Sequence, residues 1–162
     1  MKYFLLSALI LIGFASCEKA TTPESREDEL RKGKWKKIAG TEEWDPAIGE
    51  DKLINYFAAL DTCKKDDYLV FGTNFSVSQF TGVRCDNSEP EEIPFRWDLY
   101  DNGKSINFWS ANQTFFNQSA VSAPFVSYSP NEFTIKYTEY LPNKTDSLKR
   151  DTVTYTHTFA KF

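Results

Sequence analysis

The last twelve residues alternate between two chemical classes, and this pattern constrains the fold more than any other feature of the chain. From Asp151 to Phe162, one set of alternate positions carries Val153, Tyr155, His157 and Phe159, and the other carries four threonines. A period of two is typical of a strand with one buried and one exposed face. Similar alternation predicts strands over 33–38, 68–71, 75–85, 93–100, 105–109 and 133–140.

The connections between these segments indicate antiparallel pairing. Residues 101–104 read Asp-Asn-Gly-Lys, and Asn-Gly favours a tight hairpin because both residues tolerate positive φ. One irregular strand is predicted over 115–121, and apolar residues at helical spacing predict one short helix within 51–60. About eight strands without helical crossovers predict an all-β antiparallel barrel or sandwich.

The N-terminus has the organisation of an export signal. Lys2 precedes an apolar run from Phe4 to Phe14 that is too short to span a membrane, and small residues follow it. The string Phe-Ala-Ser-Cys ending at Cys17 resembles the bacterial lipobox, whose Cys is acylated before cleavage; the alternative is an ordinary secretory signal that happens to end in Cys. The sequence thus predicts a removed signal peptide over 1–16, export, and a membrane anchor at Cys17.

The segment that follows Cys17 is rich in charge and contains one large apolar residue, Leu30. This composition predicts a lipidated Cys and solvated tether over 17–32, followed by one domain over 33–162. The predicted location is a bacterial membrane, with the outer membrane favoured, and the protein faces either the periplasm or the cell surface.

Charge and residue usage exclude several functional classes. The net charge of -4 argues against a nucleic-acid partner, which requires a basic face. The chain has 1 His and lacks a Gly-x-Ser-x-Gly or phosphate-loop motif, so neither an enzyme nor a metal or other cofactor is predicted. Strand parity places His157 among apolar residues, which favours a core histidine over a catalytic base.

Several strings resemble the lipocalin-like domain lipoproteins of the Bacteroidota. Gly33-Lys34-Trp35 is similar to their first strand, and residues 63–71 resemble their Cys-x-Lys-Asp-Asp segment. Residues 97–104 resemble their Trp-x-Leu-x-x-x-Gly-Lys element, and residues 154–161 resemble their closing strand. The resemblance implies a small lipocalin-like β-barrel with a disulfide between Cys63 and Cys85, and it implies no single activity.

A bridge between Cys63 and Cys85 also agrees with the predicted compartment. Cysteines pair in oxidising environments, and closing a loop of roughly 20 residues contributes about 3 kcal/mol in the chain-entropy model. The alternative is a pair of free thiols with a catalytic or metal-binding role, but neither Cys has a base close to it in the sequence.

The aromatic residues, 16% of the chain, suggest what the barrel contains. Small eight-stranded barrels either fill their interior with side chains or hold one small ligand. Packing of the aromatic side chains into a filled core is the favoured interpretation. The alternative is a cavity, whose aromatic lining would suit an apolar molecule, so a lipid or other small hydrophobic molecule is the leading prediction for a ligand. The predicted interior set is Phe75, Val77, Phe95, Trp97, Phe108, Phe133, Tyr137, Tyr155, His157 and Phe159.

The chain is predicted to be a monomer. A second functional hypothesis is a non-catalytic interaction or glycan-binding module in an envelope complex. It rests on the polar stretch from Ser110 to Ser122 and on the nearby aromatics Trp109, Phe115 and Phe116. Separately, the tripeptides at 146–148 and 151–153 resemble the Asp-Ser/Thr-aliphatic site for O-glycosylation in exported Bacteroidota proteins. This resemblance makes Ser147 and Thr152 candidate modification sites.

Overall fold

The computed structural model describes residues 23–110 and 120–162, and within them nine strands form one antiparallel sheet. Eight of these strands close into a barrel, because the first strand pairs with the third on one side and with the last on the other. The predicted antiparallel barrel is confirmed. The strands are β1 (Lys34–Asp45), β2 (Lys52–Ile54), β3 (Tyr68–Phe71), β4 (Ser76–Phe80), β5 (Glu92–Tyr100), β6 (Ser105–Trp109), β7 (Ala120–Tyr128), β8 (Glu132–Pro142) and β9 (Arg150–Lys161).

In the part of the chain that the structure describes, three short helices accompany the strands: α1 (Pro23–Arg31), α2 (Tyr56–Ala59) and α3 (Thr62–Lys65). The helix predicted within 51–60 is wrong in its first half, because residues 52–54 form β2 and pair with Glu42–Trp44 of β1. Leu53 is therefore 73% exposed rather than packed on a helix face. Across the described ranges, no helix has the length and apolarity needed to cross a bilayer.

The strands run up and down, so the barrel has two distinct ends. At one end lie α1 and the turns that join β3 to β4, β5 to β6, and β7 to β8; we call this the plugged end. At the other end lie the long connections 46–67 and 81–91, which carry α2, α3 and the disulfide; we call this the loop end. The cavity described below lies toward the loop end.

The predicted tether is wrong for residues 23–31. These residues form α1, Leu30 is fully buried in the barrel core, and the Nε1 atom of Trp35 donates to the Leu30 carbonyl at 2.7 Å. Helices gain most of their stability from tertiary packing. The buried Leu30 and the arginine side chains that contact the barrel turns supply this packing for α1. The signal peptide over 1–16 and the anchor at Cys17 lie outside the described residues.

The alternation predicted for β5, β6, β8 and β9 agrees with the burial of their side chains. The hairpin at 101–104 is also confirmed, with positive φ at Asp101, Asn102 and Gly103. The strand predicted over 75–85 is shorter, because β4 ends at Phe80. The strand predicted over 115–121 is described from Ala120, where β7 begins, and residues 111–119 lie outside the described residues.

Phe75 is a correction to the predicted interior set. It lies in the turn before β4 with a φ of 58°, and its side chain is 54% exposed. Because the residue precedes the strand and has a left-handed backbone, the inward-outward alternation of β4 does not extend to it.

The Cys63–Cys85 disulfide is confirmed, with a Cα–Cα separation of 5.4 Å. It joins α3 to the 81–91 connection at the loop end. Since both segments lie outside the barrel ladder, the bridge fixes the part of the chain that the backbone hydrogen bonds of the barrel hold least.

Candidate ligand-binding cavity

A cavity of about 440 Å³ lies between β1, β8 and β9 and the segment formed by α2 and α3. This volume is within the range of small-molecule sites in proteins. The wall is mixed: aromatic and aliphatic side chains supply most of it, and charged and amide groups supply the rest. The lining residues are Trp35, Lys37, Glu42, Tyr56, Leu60, Lys64, Asp67, Tyr68, Leu69, Gln79, Tyr137, Tyr155, His157 and Phe159.

Parallel rings from β8 and β9 form one side of the cavity. Tyr137 pairs with Tyr155 across the two strands, and their rings stack at 5.1 Å with 17° between the planes. The imidazole of His157 lies 5.4 Å from the Tyr137 ring and is nearly parallel to it. The period of two on β9 brings these side chains to one face, so the wall is a direct product of the alternating sequence.

Tyr56 reaches this wall from the opposite side. Its hydroxyl bonds with Nδ1 of His157, whose Nε2 atom is 3.3 Å from the hydroxyl of Tyr137. The ring fits because Gly40 has no side chain: a Cβ at Gly40 would lie 2.3 Å from the Tyr56 hydroxyl. Asn55 caps α2 by accepting a hydrogen bond from the Ala58 amide, which fixes the turn that presents Tyr56.

His157 is held as a neutral imidazole. Burial lowers its pKa to about 2, and the positive charge of Lys37 acts in the same direction. A neutral imidazole has one donor and one acceptor nitrogen, which matches its two tyrosine partners. Burial also raises the pKa of Tyr155 to about 12 and raises the pKa values of Tyr56 and Tyr137.

The charged part of the wall comes from β1 and from the segment before β3. Burial lowers the pKa of Lys37 to about 8, although the negative charge of Asp67 acts to raise it. The Lys37 ammonium lies 5.4 Å from the Tyr56 ring centre. Burial raises the pKa of Asp67, whose Oδ2 atom accepts from Gln79 at 3.1 Å. Glu42 accepts from the indole of Trp44 at 3.1 Å. The cavity therefore offers donors and acceptors beside its aromatic surface.

The predicted interior residues divide between two places. Tyr137, Tyr155, His157 and Phe159 line the cavity, as the alternation indicated. The other buried members lie away from the cavity in a packed core, which also contains Leu30 of α1 and is continuous with Tyr137, Tyr155 and Phe159: Val77, Phe95, Trp97, Phe108 and Phe133. In that core the Phe71 and Trp97 rings are 4.8 Å apart, and the Phe133 and Phe159 rings are also in contact. The alternatives of a filled core and a ligand cavity thus apply to different parts of one barrel.

Sequence reasoning missed the polar half of the cavity. Lys37 lies two residues after Trp35 in the same strand, so the alternation of the strand indicated that its side chain faces inward. A β-bulge between Lys37 and Ala39 then shifts the parity, which brings Gly40 and Glu42 to the inner face. Gln79 carried the same signal, because it shares strand parity with Val77 in β4. Tyr56 carried no comparable signal, because its position depends on contacts between distant segments.

The remaining candidate sites lie outside the cavity or outside the described residues. Ser147 is exposed in the connection between β8 and β9, whereas Thr152 is half-buried within β9. The Asp151 carboxylate beside Thr152 is buried and accepts from Asn143 at 2.6 Å.

Trp109 is 36% exposed, and Phe115 and Phe116 lie in the undescribed segment. Residues 23–110 and 120–162 contain no group of three or more acidic, His or Cys side chains that could hold a metal ion.

Comparison of the sequence with protein-family models and with curated proteins returns no match.

Proposed function

We propose that this protein is an exported, lipid-anchored binding protein that holds one small amphipathic molecule in its barrel. The observation that carries the proposal is the cavity of about 440 Å³, which combines parallel aromatic rings with a charged wall. Protein pockets that bind small ligands typically pair a mainly apolar lining with a few placed polar groups. This proposal keeps the hydrophobic ligand expected from the sequence and adds a polar group to it.

The proposed ligand has a planar apolar body and a polar end. The body packs against Tyr155, Phe159 and Leu69, and the polar end accepts a hydrogen bond from Lys37. A ligand acceptor would return some of the stabilisation that the Lys37 ammonium loses through burial, the cause of its lowered pKa.

The protonation of His157 supports binding rather than catalysis. General bases act best when their pKa lies near the working pH, and an imidazole with a pKa of about 2 is a weak base at neutral pH. Its hydrogen bonds to Tyr56 and Tyr137 serve instead to orient the wall.

A matched pair of fluorescent probes tests the proposal. N-phenyl-1-naphthylamine is an apolar amine with a planar naphthalene ring, and 8-anilinonaphthalene-1-sulfonate is the same molecule with a sulfonate. Delipidated protein should bind the amine saturably with one site per chain. Binding of neither probe, and of no fatty acid across a series of chain lengths, would contradict the proposal.

Two pairs of variants assign the signal to the cavity. Leu60→Trp places bulk into the wall and should abolish probe binding, whereas Leu148→Trp adds the same side chain at a position that is 94% exposed and should leave it unchanged. Lys37→Met should weaken the sulfonate probe more than the amine, with the outward Lys136→Met as its control. Equal loss in a cavity variant and its control would place the probe elsewhere.

The membrane anchor is tested separately. In a Gram-negative host supplied with alkyne-labelled palmitate, the wild-type chain should incorporate label and Cys17→Ala should not. Label that survives in Cys17→Ala would refute acylation at this residue without bearing on the cavity.

A further inference from the structure

The plugged end of the barrel is tied to α1 by contacts to two turns and to the end of β7. Arg31 donates through Nε to the Gly72 carbonyl at 3.2 Å, and Arg26 donates to the Gly103 carbonyl. The Tyr128 hydroxyl donates to the carbonyl of Arg26 at 3.2 Å, and the Arg26 guanidinium lies 4.3 Å from the Tyr128 ring centre. These bonds fix the position of α1 relative to the barrel.

The proposed lipid anchor lies close to this end along the chain. Five residues lie between Cys17 and the start of α1 at Pro23, which makes six Cα–Cα steps. A fully extended chain spans about 3.3 Å per residue, so the start of α1 stays within about 20 Å of Cys17. If Cys17 is acylated, the plugged end is the end held near the bilayer.

Phe75 is an unusual residue at the plugged end. It follows Asn74, and both have positive φ, of 58° and 55°. A bulky side chain in this backbone region is strained, whereas Gly would be accommodated freely. The ring is 54% exposed, so burial in the barrel explains little of its presence. We therefore look for the advantage of a phenylalanine at position 75 in contacts that its ring makes outside the barrel.

Two further exposed apolar side chains lie on the neighbouring strands at this end. Tyr100 ends β5 and is 63% exposed, and Val126, near the end of β7, is 60% exposed. Both strands pair with β6, at whose start Ser105 is the partner of Tyr100. Basic groups accompany them: Lys104 is exposed in the adjacent turn, and Arg96 donates to the Asn74 carbonyl at 3.0 Å.

We propose that the plugged end rests on the bilayer, with Phe75 and Tyr100 in the lipid headgroup region and Val126, Arg96 and Lys104 beside them. Aromatic rings favour this interface, and basic side chains favour anionic headgroups. The proposal rests on the lipid anchor of the proposed function. Its consequence is that the cavity, whose wall includes Tyr56 from the loop end, opens toward the aqueous side and takes its ligand from there.

Tryptophan substitution tests this orientation in the acylated full-length protein. The protein is reconstituted into vesicles of phosphatidylethanolamine and phosphatidylglycerol that carry acyl chains brominated near the headgroup. Phe75→Trp and Tyr100→Trp should each lose additional Trp fluorescence relative to the wild type. Tyr140→Trp is the matched control, because Tyr140 is 70% exposed near the loop end and should show no additional loss.

A second variant separates membrane contact from folding. Phe75→Gly should be at least as stable toward urea as the wild type, because Gly accepts the positive φ, and the quenching of Tyr100→Trp should fall in its presence. Vesicle flotation distinguishes the two proposals. A protein that does not float refutes the anchor and this orientation with it. A protein that floats but shows equal quenching at positions 75, 100 and 140 refutes the orientation alone.

Discussion

Acidification from pH 7 to pH 5 should destabilise this protein through His157. The imidazole has a pKa of about 2 in the folded barrel and about 6.5 in an unfolded chain. A base with a depressed folded pKa binds more protons when unfolded, so stability is lost as pH falls through 6.5. Integrating the uptake of one proton between pH 7 and pH 5 gives a loss of about 2 kcal/mol.

The loss of stability can be assigned to one imidazole because His157 is the single histidine in the sequence. The measurement is urea unfolding, followed by Trp fluorescence at pH 7, 6 and 5 on protein without a histidine tag. His157→Gln is the control, since its amide can donate and accept hydrogen bonds but does not titrate. Burial raises the pKa of Asp67, which opposes the loss, and the difference between wild type and variant removes that contribution. Equal slopes in the two proteins would refute the argument.

Three other changes test the packing of the fold. Replacing Cys63 and Cys85 together with Ser should lower the free energy of unfolding by about 3 kcal/mol for a separation of 22 residues, measured in urea; no change would mean that the loop end is ordered without the bridge. Gly40→Ala should cost about 1–3 kcal/mol and weaken naphthylamine binding, because its Cβ would displace the Tyr56 ring, and unchanged binding would contradict that contact. Leu30→Ala should cost about 2–5 kcal/mol by thermal or urea unfolding, whereas a tether-like segment would show almost no change.

The sequence predicted the barrel well because its later strands have one buried and one exposed face. Along β9, each residue between Asp151 and Ala160 follows the alternation, and the positive-φ hairpin at 101–104 fixes the register of β5 against β6. These features are local, so they can be read without knowing what packs against them. The same strand alternation predicted four of the residues that line the cavity.

Prediction from the sequence failed where contacts between distant segments override the local pattern. The charged segment before Gly33 has the composition of a tether, yet Leu30 and two arginines bind it to the barrel. Phe75 has the parity of an inward residue, but the left-handed turn takes it out of the strand. Tyr56 enters the cavity because Gly40, sixteen residues earlier in the chain, leaves room for it.

Closure of the barrel by β1 and β9 has a consequence for biogenesis. The register between these strands runs from Trp35 with Lys161 to Asp45 with Thr152, so the seam joins residues more than one hundred positions apart. Until residues 150–161 have been synthesised and have paired, β1 and β8 present unpaired edges that favour association with other chains. Contacts of such high sequence separation also form slowly. The barrel can therefore close only after the last strand has been made, and the open sheet is prone to association in that interval.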